Sequence, residues 1–153
     1  MPAVVFRRGR GSPPLDARVV KRRAERMLAE LGAENAELSV MLTNDAEIRE
    51  LNAKHRKKPK PTDVLSFPMD AEGDGPSRVT RLLGDVVISL ETASRQARRR
   101  RRELISEVTH LLAHGILHLV GHDHRTDAEE RIMNAAAAKL IRAATAVKRV
   151  RRS

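Results

Sequence analysis

An α+β domain, with a small mixed β-sheet packed with about five helices, is the fold class this chain predicts. Three observations predict it. Short apolar runs bounded by turn residues alternate with stretches of helical apolar spacing. The length, 153 residues, suits one domain with a real core. No internal repeat is present, so residues 1–153 read as a single domain, with flexible basic termini at 1–12 and 147–153.

The elements follow in order. Val4-Val5-Phe6 is a short apolar run and a candidate first strand, and residues 9–14 are a Gly/Pro-rich break. Over residues 16–31, Val19, Val20, Ala24, Met27, Leu28 and Leu31 fall at helical spacing, with Asp16 as N-cap and Gly32 as stop. Leu38, Val40 and Leu42 alternate as one face of a strand. Asn44 caps a second helix with Glu47 at the capping-box position, and Ile48, Leu51 and Asn52 share a face. Residues 56–61 are a basic, proline-broken loop. Val64 to Phe67 is a strand that Pro68 ends, residues 71–77 form a loop, and Gly84 to Ile88 is a buried-looking strand. Ser89 caps a helix running toward Arg98, and residues 103–120 form the helix that carries most of the histidines. Whether one bent helix or two span 90–120 stays open, because no Gly or Pro divides them. Thr126 and Glu129 form a second capping box, before a helix whose apolar face is read as Ile132, Met133, Ala136, Leu140 and Ile141.

Lys and Arg total 30 against 20 acids, a net charge of +10, which favours polyanionic partners. There is no cysteine, hence no disulfide partner and no thiolate metal ligand. Phe6 and Phe67 are the only aromatics, so nucleic acid would be held mainly through phosphates rather than base stacking. No window reaches the roughly 18 apolar residues of a membrane span and no signal-type leader is seen, so no membrane partner and a cytoplasmic location are expected.

Four of the six histidines lie between His114 and His124. His114 and His118 are one turn apart on a helical face, Gly121 offers a left-handed exit, and His124 can return to the same ion. Three imidazoles with an open fourth position are the donor set of a catalytic zinc at the end of a central helix. His110 lies a further turn back and cannot join on a straight helix, and His122 is expected exposed on the turn. The spacing is shared with metzincin proteases, but their general-base Glu is here Gly115. Glycine inside a helix costs about 1 kcal/mol, which asks for a close approach of substrate, of other backbone, or of a packed neighbour. Peptide hydrolysis is therefore disfavoured. Zinc can still polarise a phosphoryl oxygen, with a cation opposite it as the useful second group.

The run from His114 to His124 resembles the signature of the YbeY family, bacterial metal-dependent endoribonucleases of ribosomal RNA maturation. Leu51-Asn52 with Arg56, then residues 61–68, look like a second family block, and residues 83–89 look like a third. The resemblance implies a single Zn2+ on His114, His118 and His124, and Arg56 as the functional arginine. It implies cleavage of single-stranded RNA in 16S rRNA 3′-end maturation and ribosome quality control, with the small ribosomal subunit as partner. His122 stands where the family usually has an aromatic, and the arginine run 98–102 stands where it often breaks with glycine.

Lys57, Lys58 and Lys60, with Arg98, Arg99, Arg100, Arg101 and Arg102, are the candidates for tracking the RNA backbone; for the arginines a solvated face is the competing reading. Placed before the histidine helix, those arginines oppose its dipole. Asp123, His122 and His110 are candidates for a general acid, and none stands out. The alternative function is a non-catalytic rRNA-binding assembly factor with structural zinc, and behind it a metalloprotease.

Overall fold

The computed structural model describes residues 3–8, 15–33, 35–56, 63–68 and 81–146. Its elements are β1 (Ala3–Arg8), α1 (Ala17–Glu30), β2 (Ala36–Thr43), α2 (Asp45–Arg56), β3 (Val64–Pro68), β4 (Arg81–Ser89), α3 (Leu90–Arg100), α4 (Leu104–Leu119) and α5 (Asp127–Thr145). The four strands lie in the order β1-β2-β4-β3. β1, β2 and β4 run parallel, and β3 closes the edge antiparallel to β4. The predicted α+β class with a mixed sheet and five helices is what is found. The candidate first strand at Val4-Val5-Phe6 is β1, which pairs with β2 in register from Ala3↔Glu37 to Arg8↔Leu42. Residues 147–153, expected to be flexible, lie outside the described residues.

Strand alternation builds two cores of unequal size. Leu38, Val40, Leu42, Val86 and Ile88 point to the larger, which α1, α3, α4 and α5 cover. Val87 and Leu65 point to the smaller, where Ile48 of α2 is fully buried. α4 is the central helix. It packs on α1, α3, α5, β3 and β4 and buries Leu112, Ile116 and Leu117 completely, each worth about 1.5–3 kcal/mol.

Local chemistry sets the helix starts. Asp16 accepts from the Arg18 amide at 3.0 Å, Asn44 from Glu47 at 2.8 Å, Ser89 from Thr92 at 3.3 Å and Thr126 from Glu129 at 3.1 Å. The Glu47 carboxylate itself takes the Thr43 hydroxyl.

Residues 90–120 form two helices, and the break is made of arginine. Arg101 adopts the left-handed conformation, φ 54° and ψ 46°, and the Arg102 amide closes back on the Ala97 carbonyl at 2.9 Å. This corrects the dipole expectation. Arg98, Arg99 and Arg100 sit in the last turn of α3, where positive charge is favourable. The α5 expectation also needs correction. Ile132 is 61% exposed, and the buried stripe is Met133, Ala137, Leu140 and Ala144.

Asp45 ties the start of α2 to the start of α3. Its carboxylate accepts from Thr92 Oγ1 at 2.6 Å and Arg95 Nη2 at 2.8 Å, and from the Ser89 hydroxyl. Burial pushes its pKa up, but these donors outweigh burial and hold it below the ordinary carboxylate value. A depressed folded pKa gives stability that is complete above the unfolded value and lost as pH falls through the folded one. Asp45→Ala is expected to cost about 2 kcal/mol at neutral pH. In thermal melts from pH 7 to 3, the gap between variant and parent should close in acid.

Candidate metal centre and nucleic-acid interface

α4 ends in a Schellman turn that redirects the chain. The His122 amide reaches the Leu117 carbonyl at 2.9 Å and the Gly121 amide the His118 carbonyl at 3.2 Å, with Gly121 at φ 101°. Glycine takes that φ without the Cβ clash other residues meet. The chain then folds back, leaving the rings of His118 and His124 edge to face with centroids 5.3 Å apart.

Two of the imidazoles are oriented by main-chain carbonyls. His114 Nδ1 donates to the His110 carbonyl at 2.8 Å, and His118 Nδ1 donates to the His122 carbonyl at 3.1 Å. Each contact fixes the tautomer and leaves Nε2 with its lone pair, as metal-ligating histidines require. Burial is the main cause that lowers the His118 pKa, against the pull of the His122 carbonyl; neighbouring His124 and His114 lower it further and Asp123 raises it. A neutral imidazole is the ligating form. Asp123 accepts the His124 amide at 2.8 Å and pairs with Arg125 at 2.9 Å. The His124 amide is the main cause holding the Asp123 carboxyl below its ordinary value.

Among the described residues, no three His, Asp or Glu side chains are closed into a group that could hold a metal ion. The donor set nevertheless fits one. His114 and His118 share a helical face with Nε2 available, and the ring of His124, 61% exposed, has room to move. His110 makes the same kind of contact, its Nδ1 donating to the Ser106 carbonyl at 2.9 Å, but it lies one further turn back along α4. His122 is half-buried rather than exposed, and what it contributes to His118 is its carbonyl.

Gly115 is explained by packing. A Cβ there would lie 2.7 Å from Val86 Cγ1 and 3.1 Å from Cγ2, while the Ser66 hydroxyl donates to the Gly115 carbonyl at 3.0 Å. The position faces β4, so a general base placed there would point into the sheet. Gly115→Ala gains about 1 kcal/mol of helix propensity but overpacks a stiff, buried valine, which costs about 1–3 kcal/mol. A net loss of about 1 kcal/mol is expected, read as a lowered denaturant midpoint.

His118, His124 and the turn between them line a cleft of about 1080 Å³. Its other lining comes from β3, from Asp63 and from Asn52 of α2, which is buried at 6% exposure. Asn52 was visible in the sequence as a polar residue on an apolar helical face. Asp63 and Ser66 belong to the second family block, residues 61–68. Arg56 is the last residue of α2, one turn beyond Asn52; its side chain lies outside the described residues, as do Lys57, Lys58 and Lys60.

The arginine run divides by role. Arg98 and Arg99 are exposed and, with Arg95, border a shallow hollow. Arg101 makes the turn. Arg100 and Arg102 hold the fully buried Glu107 at 2.9 and 3.7 Å.

A family model described as Endoribonuclease YbeY matches residues 14–145. A relative of that name from Aquifex aeolicus (strain VF5) is 54% identical over 111 residues, covering 72% of this chain and 71% of the relative. Another from Anaeromyxobacter dehalogenans (strain 2CP-C) is 50% identical over 127 residues, 83% of this chain. The matched segment spans 64% of that relative, slightly under two thirds of its length. A solution structure from Thermotoga maritima superposes with a TM-score of 0.63 at 24% identity, covering 92% of this chain and 88% of that one, which shows a shared fold. No helix among the described residues is long and apolar enough to cross a membrane.

Proposed function

The chain belongs to the Endoribonuclease YbeY family, and from that premise we propose that it is a zinc-dependent endoribonuclease of single-stranded RNA. Its biological substrate in this reading is 16S rRNA, trimmed at the 3′ end during maturation of the small subunit in the cytoplasm, with a part in ribosome quality control. The observation that carries the proposal is the ordering of His114 and His118 by main-chain carbonyls, with His118 and His124 at the wall of a roomy cleft.

His114, His118 and His124 would hold the zinc through ring nitrogens, and the ion would supply Lewis acidity at a phosphoryl oxygen. The chain's own residues do the rest. The turn 121–125 sets the position of His124 and forms one wall. Asn52 brings the last turn of α2, which ends at Arg56, to the cleft; in this reading Arg56 binds the phosphate and steadies its developing charge. The net charge of +10 draws the polyanion in, and exposed Arg98, Arg99 and Arg101 are the arginines of the run that Glu107 does not hold.

The test uses purified protein, with and without chelator, on end-labelled single-stranded RNA, duplex RNA and peptide. Cleavage of single-stranded RNA alone, abolished by chelation and restored by zinc, is expected. Arg56→Ala should lower kcat/KM by about a hundredfold. Cleavage indifferent to chelation would overturn the proposal. RNA binding without cleavage, with unfolding on chelation, would favour a structural metal in an assembly factor instead.

A further inference from the structure

Besides Asp123, which Arg125 pairs, a second acidic residue, Asp63, lines this cleft, where a phosphate-binding site gains nothing from one. We propose that Asp63, positioned by Gln96, recognises the ribose 2′-hydroxyl of the bound strand and thereby separates RNA from DNA. The proposal rests on the reading that the cleft takes single-stranded RNA.

Asp63 is pinned at three points. Its carbonyl accepts the Ser89 amide at 2.9 Å, its Oδ1 accepts the Val64 amide at 2.8 Å, and its Oδ2 accepts Gln96 Nε2 at 3.2 Å. The residue is therefore held by β3, β4 and α3, its carboxylate by Val64 and Gln96, and it lines the cleft with His118 and His124. An ionised carboxylate is acceptor-only, with two oxygens that can each take more than one hydrogen bond. Towards a phosphodiester it is repulsive; towards a hydroxyl hydrogen it is a strong acceptor.

Gln96 adds a second observation. Its Oε1 is buried with no hydrogen-bond partner among the described residues. Turning the amide over would set that oxygen against the Asp63 carboxylate. The side chain thus leaves a buried oxygen unpaired while its amino group orients Asp63, and unpaired buried groups of this kind call for a reason. Orientation of a functional carboxylate supplies one. Of the donors a nucleic acid offers, the 2′-hydroxyl is the one that RNA has and DNA lacks.

The test measures binding as well as cleavage. A fluorescent single-stranded RNA, its 2′-fluoro analogue (which cannot donate) and the matching DNA are titrated against the full-length protein. The comparison covers parent, Asp63→Asn and Gln96→Leu, each with and without zinc. The parent should bind RNA about tenfold more tightly than the 2′-fluoro strand, the worth of one charge-assisted hydrogen bond. Asp63→Asn should bring that ratio close to one with DNA affinity equal or higher. Gln96→Leu should shrink the ratio without lowering the melting temperature. An unchanged ratio in Asp63→Asn, or discrimination that follows base identity rather than sugar, would overturn the proposal and leave the nuclease reading standing. A parent protein that binds neither strand would remove both.

Discussion

Replacing His118 with alanine is expected to empty the metal site and lower RNA cleavage by more than about a hundredfold. Loss of a partner that merely orients a ligand costs about 10–100-fold in metal affinity or activity, and loss of the ligand itself should cost more. His118 is the pivot of the proposed site. It is one turn from His114, its ring meets that of His124 at 5.3 Å, and the His122 carbonyl fixes its tautomer. Burial favours its neutral form, so its lone pair is available without first shedding a proton. His110→Ala is the matched control, since that ring lies one further turn back along α4 than His114. Metal content measured by mass spectrometry should fall to background in His118→Ala and stay stoichiometric in His110→Ala. A His118 variant that retains one zinc per chain would remove His118 from the ligand set.

The sequence disclosed what local chemistry determines. Asp16, Asn44, Ser89 and Thr126 cap helices because their side chains reach amides two or three residues on, and that depends on no distant part of the chain. β2 was legible because burial on one face imposes a period of two, and β4 because a strand buried on both faces reads as a continuous apolar run. Helical spacing and one glycine make His114, His118 and His124 readable as a candidate set; of that set the structure shows the His118 and His124 rings 5.3 Å apart.

Features set by the tertiary environment were hidden. Gly115 could have served substrate or packing, and the distance of Val86 decides for packing. The break at Arg101 lacks the usual glycine, so spacing alone could not separate α3 from α4. On α5 the larger Ile132 drew the apolar face off by one position. The buried stripe runs through Ala137 and Ala144, and alanine carries little pattern. His122 acts through its carbonyl, a group that every residue has, so its side chain gave no clue.

The second large effect expected is on stability. The double replacement Arg100→Ala with Arg102→Ala should cost about 3 kcal/mol, because it strands the Glu107 carboxylate inside the protein. Glu107 is fully buried in the first turn of α4, two turns before His114. Arg100 meets its Oε2 at 2.9 Å, while Arg102 stands 3.7 Å from Oε1. Arg100→Ala alone should therefore be the costlier single change. A loss of about 3 kcal/mol in a domain this size corresponds to a melting temperature roughly 6–12 °C lower. The reverse deletion is milder. Glu107→Leu frees two arginines whose side chains are already 54% and 33% exposed, so they can turn to water. Replacing a buried charge by a packed apolar side chain is often neutral or stabilising. On the Glu107→Leu background the double arginine change should then cost little, and that coupling is the signature of the clamp. The same cycle separates the roles within the run. Arg98→Ala with Arg99→Ala should leave the melting temperature in place while weakening RNA binding and flattening its salt dependence by about one phosphate contact per arginine. Equal melting losses from both pairs would show that the run acts as one undivided structural unit.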